Sequence, residues 1–351
     1  MITIQIILAQ TLFVPNIITI ERASVKKKRE EVCYMKSGKV TDAILKRSVI
    51  NLIDYKNKKV ISGAGIGNDC SVIDVGEVYV LTSTQTALTG ESLAPYYAVI
   101  KAANNVVACG GTPISASAAF VLPCKYDEKR LKNLTRSVLS ACRSCDIQLS
   151  GGHTEVSENA SCNLVTITVT GTCKKEDYRS ISDVKPGMDI VVSKWIGLEQ
   201  TALLLSEKSE QLLMTLPSSY VSLAADFGHW CYVKEEAEIA RSRKDVYMHD
   251  ISDGGIFAAL WDFSEKAKVG IEVNLKAIPI KQETVEFTEI FRINPYWMKS
   301  AGSLLMATNN ATGLVEELKK NGIHSAIIGK TTDNNDKKII NGDEVRYLDK
   351  P

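Results

Sequence analysis

Gly63-Ala64-Gly65-Ile66-Gly67-Asn68-Asp69 is a glycine-rich stretch that leads into strand-like alternating residues. Glycines let a backbone approach phosphate oxygens closely, and successive N–H groups can form a concavity that binds anions. Asp69 follows directly, where a carboxylate can hold a divalent cation that bridges those phosphates. The stretch is neither a P-loop nor a dinucleotide-binding fingerprint, so a tight turn with a solvated aspartate explains it equally well.

A second polar stretch, Ser150-Gly151-Gly152-His153-Thr154-Glu155-Val156, follows a short strand predicted over residues 147–149. Its paired glycines precede His153 and Glu155, so a titratable base and a carboxylate share one predicted exposed loop. A hairpin turn with incidental polar side chains is the competing interpretation.

A third stretch, His249-Asp250-Ile251-Ser252-Asp253-Gly254-Gly255, lies between a strand-like segment and a helix predicted over residues 255–267. Asp253 is placed to cap that helix, and this structural interpretation needs nothing more. The functional interpretation is that the helix start faces a phosphate or a metal-bound nucleotide, with Asp250 as a ligand.

Predicted helices and strands alternate in both halves of the chain, which indicates mixed α/β or α+β domains. We expect a first domain over residues 35–180 and a second over residues 181–351. Residues 1–34 are expected to be an upstream extension or a poorly ordered tail, with a targeting peptide as the alternative. Helical spacing of apolar residues recurs over residues 41–53, 93–109, 128–145 and 312–320, and a hairpin turn is predicted over residues 340–343.

The bulk composition is that of a globular protein, with 45% apolar and 24% charged residues. A net charge of +1 gives no general attraction to nucleic acid or to an anionic membrane, so neither is expected as a partner. The nine cysteines are scattered and odd in number. This pattern favours free thiols in a reducing compartment, and hence a cytoplasmic protein.

The order and spacing of the three stretches resemble the aminoimidazole ribonucleotide synthetase-like superfamily, which includes PurM, HypE, ThiL and SelD. The likeness is closest to the HypE-type hydrogenase-maturation branch, whose segments read Gly-Asp-Asp-Ala-Ala-Val, Gly-Gly-His-Thr-Glu-Val and Asp-x-x-x-Gly-Gly. It extends from about residue 35 to the C-terminus. Four further segments support it, namely Gly38-Lys39-Val40, residues 108–113, Asn294-Pro295 and residues 300–305.

This resemblance implies a two-domain PurM-like fold, with an N-terminal β-rich dimerisation domain and a C-terminal α/β sandwich domain. It also implies a homodimer that binds ATP and Mg²⁺ between the domains, and it allows for a maturation partner protein. Members of the branch activate an oxygen of a small molecule, or of a protein-borne acyl or carboxamide group, by phosphoryl transfer from ATP.

The resemblance also assigns roles to matching residues. Asp69, Asp250 and Glu155 are the expected metal ligands. His153 and Lys39 are the candidate catalytic residues, against a hydrogen bond within the loop for His153 and an ordinary surface lysine for Lys39. The residues expected to bind the nucleotide are Gly63, Gly65, Gly67, Asp69, Gly151, Gly152, Glu155, Asp253, Gly254 and Gly255.

Some positions depart from the pattern of the family. Thr84 and Asn105 stand where relatives carry aspartates that bind metal. The alternative hypothesis is therefore a catalytically weakened nucleotide-binding or scaffold relative. The sequence also ends Asp349-Lys350-Pro351, and its last cysteine is Cys231. We therefore do not expect the cyanide-forming chemistry that HypE performs on a terminal cysteine.

Overall fold

The computed structural model describes residues 38–89 and 93–350. The predicted extension over residues 1–34 lies outside these ranges. Within them the chain forms two β-sheets, each covered by helices. The α+β fold class predicted from the sequence is confirmed.

The first sheet has six strands in the order β1-β2-β3-β6-β4-β5. Only β4 and β5 run parallel, and the other neighbouring strands are antiparallel. Along β6, buried side chains alternate with half-buried ones, as expected for a strand with one face against a core. The strands are β1 (Val60–Ser62), β2 (Ser71–Asp74), β3 (Val78–Thr89), β4 (Thr112–Pro123), β5 (Gln148–Ser157) and β6 (Asn163–Lys174). The helices of this half are α1 (Asp42–Ser48), α2 (Ala94–Ala108) and α3 (Glu128–Ser144).

The second sheet has seven strands in the order β13-β12-β9-β11-β7-β10-β8. Its central strands β7 and β10 are almost entirely buried, because helices cover the sheet. The strands are β7 (Asp189–Ser193), β8 (Tyr247–Ile251), β9 (Gly270–Asn274), β10 (Ser303–Thr308), β11 (Ser325–Thr332), β12 (Lys337–Asn341) and β13 (Glu344–Tyr347). The helices are α4 (Leu198–Thr215), α5 (Ser218–Leu223), α6 (Lys234–Arg241), α7 (Gly255–Ala267), α8 (Gln282–Phe291) and α9 (Ala311–Lys320).

Helix α2 joins the two halves of the molecule. It packs on β3 and β6 of the first sheet and also on β8 and α6 of the second half. Asn104, in the middle of α2, is fully buried. Its Nδ2 donates to the carbonyl of Cys231 at 2.9 Å, and its Oδ1 accepts from the backbone N–H of Val233 at 3.1 Å. One core cluster therefore contains residues of both halves.

Several predicted elements lie where the sequence placed them. Helices α2, α3 and α7 agree with the predictions over residues 93–109, 128–145 and 255–267 to within one residue at each end. The predicted turn over residues 340–343 joins β12 to β13. The prediction of a loop over residues 150–156 is wrong, because this segment lies inside strand β5.

Across residues 38–89 and 93–350, no helix is both long enough and apolar enough to cross a bilayer.

Candidate functional site

A cavity of about 400 Å³ lies beside the glycine-rich loop that joins β1 to β2. This volume falls in the range of roughly 300–1,000 Å³ that is typical of small-molecule sites. Among the described residues that line it, Asp69 is the one that carries a charge. The other polar lining residues are Asn68, Ser71, Thr82, Ser83, Thr84, Gln85 and Asn105. The cavity therefore offers many neutral hydrogen-bonding groups and one carboxylate.

The glycine-rich loop forms one wall of this cavity. Gly63 and Gly65 line it, whereas Gly67 packs against helix α7. Gly67 has a φ of +70°, and a Cβ there would lie 2.5 Å from the backbone oxygen of Asp262. The loop is also closed by a hydrogen bond from Asn68 Nδ2 to the carbonyl of Gly63 at 2.6 Å. The loop can therefore present bare backbone to a ligand while α7 supports it from behind.

Asp69 is held by a histidine from the second half of the chain. Its Oδ2 lies 2.9 Å from Nδ1 of His249, on strand β8, and both side chains are largely buried. Burial alone would lower the pKa of His249, but the charge and the hydrogen bond of Asp69 outweigh it and raise this pKa. The pair therefore fixes one carboxylate oxygen of Asp69 at the cavity wall.

Asp250 is buried next to this pair with both carboxylate oxygens unsatisfied. It is 4% exposed, and neither oxygen makes a hydrogen bond of good geometry in the described part of the chain, although a weaker contact with the Ser252 side chain acts to lower its pKa. Its pKa is raised to about 8, chiefly by burial and secondly by the negative charge of Asp69, while His249 acts in the opposite direction. A buried carboxylate without a partner is unfavourable unless a proton or a cation occupies it.

Asp69 and Asp250 together fit a single hydrated cation. Mg²⁺ at nucleotide sites is usually held by one or two carboxylates, with phosphates and water as its other ligands. No three His, Cys, Asp or Glu side chains gather as a metal site within the residues that the structure describes. The described residues therefore provide no closed cage made of protein ligands alone.

Thr84 and Asn105 both line the cavity. The Thr84 hydroxyl lies 2.9 Å from the hydroxyl of Thr168, and Asn105 Nδ2 donates to Ser83 Oγ at 2.8 Å. The two neutral residues that replace the expected aspartates thus share one cavity with Asp69. Hydroxyl and amide oxygens can coordinate a cation, but they do not neutralise its charge.

His153 and Glu155 lie on β5, the outermost strand of the first sheet. They face each other, with His153 Nε2 3.1 Å from Glu155 Oε2, and both side chains are at least half exposed. Strands β6 and β4 separate β5 from β3, which places it about 14 Å away at ordinary strand spacing. Within a single chain Glu155 therefore does not line the cavity that Asp69 lines, and its role as a metal ligand stays a prediction. Gly151 and Gly152 lie on the same outer strand, outside the cavity.

Lys39 does not line the cavity either. Its Nζ contacts Oδ2 of Asp262 on α7 at 2.7 Å, and its side chain is about half exposed. This contact matches the interpretation of Lys39 as a surface lysine, and its catalytic role stays a prediction.

Asp253 does not cap helix α7, so that structural interpretation is wrong. Gly254 precedes the helix with a φ of +86°, and the helix start has no side-chain cap. Asp253 Oδ2 instead accepts from Lys101 Nζ at 2.8 Å. Gly255 is required for packing, since a Cβ there would lie 2.5 Å from the backbone oxygen of Tyr296.

Three polar residues near the site were missed by the sequence analysis. Lys101 and Glu199 are buried and form an ion pair at 3.6 Å, and His249 holds Asp69. Lys101 is the one charged residue in α2, whose sequence is otherwise apolar or neutral. A single charge on a fully buried helix was the signal that could have identified it.

Two family models match the chain. The N-terminal domain of AIR synthase related proteins matches residues 67–173, and their C-terminal domain matches residues 185–341. Together they cover about three quarters of the sequence.

The chain belongs to the AIR synthase related protein family. Its two-domain, PurM-like fold, expected from the resemblance, is confirmed by the two matched domains and by similar solved structures. The boundary predicted near residue 180 falls in the interval between the two matched segments, and it stays a prediction.

Two relatives illustrate the sequence similarity of this AIR synthase related protein. A Methanocaldococcus jannaschii protein assigned to hydrogenase expression/formation is 23% identical over 313 residues, covering 84% of this chain and 88% of the relative. Carbamoyl dehydratase HypE of Rhodobacter capsulatus is also 23% identical, over 212 residues, covering 60% of each protein. The chain thus spans about three fifths of the length of that HypE.

Solved structures of HypE have the same fold. A HypE–HypF complex contains a chain that superposes with a TM-score of 0.68 at 19% identity, covering 88% of this chain and 100% of that chain. HypE in complex with ATP superposes with a TM-score of 0.66 at 16% identity, covering 91% and 96%. At these identities the likeness establishes the fold of this AIR synthase related protein.

Proposed function

We propose that this protein is a HypE-like ATP-binding protein. It would transfer the terminal phosphoryl group of ATP to an oxygen of a small molecule, or of a protein-borne acyl or carboxamide group. The observation that carries this proposal is the cavity beside the glycine-rich loop, which Asp69 lines, with the buried Asp250 close enough behind it to feel the charge of Asp69. The HypE structure solved with ATP supports it, because that protein has the same fold.

The residues of the cavity have distinct tasks in this proposal. Gly63 and Gly65 bring bare backbone to the cavity wall, where N–H groups can donate hydrogen bonds to phosphate oxygens. Asp69 and Asp250 would hold Mg²⁺, which when bound neutralises phosphate charge and aligns the transferred group. Thr84 and Asn105 add neutral oxygens on the opposite wall, formed by β3 and α2. The His249 imidazole keeps Asp69 in one orientation.

A second candidate function is a nucleotide-binding or scaffold protein with little turnover. The observation that favours it is the neutral character of Thr84 and Asn105 at the cavity wall. With fewer carboxylates, a site retains nucleotide binding through backbone contacts but gives less stabilisation to a second metal ion.

We also propose a homodimer and a maturation partner. β5 is an edge strand of the first sheet, and the side chains are exposed at almost every position along it. Val156 is 59% exposed on this strand. An open strand edge with exposed apolar groups favours pairing with another sheet. For the partner protein, the support is the HypE–HypF complex of the related fold.

The ATP-binding proposal is tested by calorimetric titration with ATP and Mg²⁺. We expect Asp69→Asn to weaken binding at least about tenfold, equivalent to about 1.4 kcal/mol. Asp343→Asn is the matched control, because Asp343 is exposed in the β12–β13 hairpin, and it should bind as the wild type does. Equal ATP affinity in wild type and Asp69→Asn, with circular dichroism unchanged, would contradict the proposal.

The two candidate functions are separated by restoring the carboxylates. The double variant Thr84→Asp, Asn105→Asp should hydrolyse ATP faster than the wild type if metal loss limits turnover. Single-turnover phosphate release with saturating Mg²⁺ measures this difference. An unchanged rate in a variant that binds ATP normally would argue against a weakened enzyme.

A further inference from the structure

Lys101 is a buried ammonium at the junction of the two halves. It is 5% exposed and lies on α2, one helical turn before Asn105, which lines the cavity. Residues four apart lie on the same face of a helix. Lys101 is therefore on the face of α2 that meets the cavity, although it does not line the cavity itself.

Two carboxylates from different segments meet this ammonium. Lys101 Nζ lies 2.8 Å from Asp253 Oδ2, just before α7, and 3.6 Å from Glu199 Oε1, in the first turn of α4. Glu199 is 1% exposed and also accepts from the backbone N–H of Ala301 at 3.2 Å. We call Lys101, Glu199 and Asp253 the α2–α7 charge cluster.

The electrostatics favour the ionised forms of Lys101 and Asp253, whereas burial raises the pKa of Glu199. Burial alone would lower the pKa of Lys101, but the charges of Glu199 and Asp253 outweigh it and raise the pKa above its usual value. Burial would raise the pKa of Asp253, yet the Lys101 ammonium lowers it overall. The negative charge of Asp250 acts on Lys101 as well. The cluster is thus electrostatically coupled to Asp250.

Carboxylates that converge from separate segments are the usual way in which proteins gather a hydrated divalent cation. Here Asp253 and Glu199 contact a protein-borne cation instead, and Asp250 acts on that cation electrostatically. An ammonium is a compact point charge with three donors, so it can satisfy two carboxylates at once. Coordination by water and a metal ion is then unnecessary at Asp253.

We propose that Lys101 is a built-in cation that occupies the α2–α7 charge cluster and excludes a divalent metal ion from Asp253 and Glu199. Its consequence for catalysis, that a nucleotide in the cavity uses fewer metal ions, rests on the proposed function. In this role Lys101 is a positioning residue, since it acts through Asp253 and the start of α7.

The test uses Mn²⁺ alone, titrated into the full chain and followed by the loss of its free electron paramagnetic resonance signal. Lys101→Ala removes the ammonium and leaves room for a hydrated ion. We expect it to bind about one more Mn²⁺ per chain than the wild type, with Mg²⁺ competing. Lys101→Arg, which keeps the charge, should bind no more than the wild type.

The site of the gained ion is assigned by the double variant Lys101→Ala, Asp253→Asn, which should lose it. A purely structural ion pair would lower stability in Lys101→Ala without any gain in Mn²⁺ binding, and that result overturns the proposal.

A second measurement decides the matter if Lys101→Ala does not fold. Asp253 is 43% exposed, so Asp253→Asn is compatible with the fold. The wild type and Asp253→Asn should bind the same number of Mn²⁺ ions per chain. In the wild type the Asp253 carboxylate is already paired with the Lys101 ammonium. A wild-type site that Asp253→Asn abolishes overturns the proposal. None of these titrations contains nucleotide, so a failure of ATP binding would leave their outcome intact.

Discussion

At the scale of single residues, Asp250 couples the candidate site to stability. Its pKa in the folded protein is about 8, against an ordinary value of 3.8. A carboxyl group whose pKa is raised by folding binds its proton more tightly in the folded state. It therefore destabilises the fold as pH rises from about 4 to about 8. Asp69, His249, Glu199 and Lys101 are the charged groups around it.

Asp250→Asn should therefore be more stable than the wild type at neutral pH, by roughly 2–5 kcal/mol. Asparagine keeps the shape of the side chain and has no charge to desolvate. The difference in the free energy of unfolding, measured in urea at several pH values, should grow between pH 4 and pH 8. Asp343→Asn, at an exposed position, should show no such trend. A constant difference between pH 4 and pH 8 would exclude Asp250 as its source.

Gly67 is a second residue at which a small change has a defined effect. Gly67→Ala combines a positive φ with a contact to the backbone of α7, so we expect a loss of about 2–3 kcal/mol in the free energy of unfolding. Gly76→Ala is the matched control, because Gly76 also has a positive φ but no atom lies within 4 Å of its Cβ position. It should cost only about 1 kcal/mol. If denaturant titrations show that Gly67→Ala and Gly76→Ala lower the free energy of unfolding equally, the packing of Gly67 against α7 does not contribute to stability.

The residues of the candidate site were predicted only where local sequence defines them. Asp69 and the glycines before it were identified, because glycine and a following carboxylate form a local pattern. Lys101 and Glu199 were not, because they are 98 residues apart and meet only when α2 packs against the second half. A buried lysine is rare enough that a surface position is the ordinary expectation.

At the scale of elements, helix α7 and strand β5 show the limits of local pattern. The start of α7 was predicted correctly, because two glycines interrupt the apolar pattern before a helical one begins. The same signal, a pair of glycines, led to the wrong prediction of a loop at Gly151 and Gly152. Both residues lie inside β5. Gly152 is needed there because a Cβ would collide with the backbone of Ala118 on the parallel strand β4. Glycine in a strand often marks such a close approach.

The outer edge of β5 gives a prediction for assembly. If the chain is a homodimer through this edge, Val156→Lys should raise its dissociation constant at least about tenfold, since a charge would be buried in the interface. Light scattering after size-exclusion chromatography measures the mass. Val345→Lys is the matched control, because Val345 is similarly exposed (56%) on β13, the end strand of the second sheet. An unchanged mass for Val156→Lys, or equal effects of both variants, would argue against this interface.

At the scale of the whole molecule, the fold was predictable while the shared site was not. Alternating elements indicated mixed α/β or α+β domains, and three spaced motifs gave the superfamily. The relative position of the motifs depends on sheet order, which the sequence does not state. Because β6 and β4 lie between β3 and β5, Glu155 is carried away from Asp69. Helix α2, by contrast, brings Asn105 to the same cavity as Asp69.

The burial of Asn104 predicts that both halves unfold together. Asn104→Ala leaves the carbonyl of Cys231 and the N–H of Val233 unsatisfied, so the free energy of unfolding should fall by about 2–4 kcal/mol. All four tryptophans lie in the second half, so their fluorescence reports that half, whereas circular dichroism reports both. The two urea midpoints should coincide and shift together in Asn104→Ala. Asn133→Ala, exposed on α3, should shift neither by more than about 0.5 kcal/mol. Separate midpoints would mean that α2 does not couple the halves.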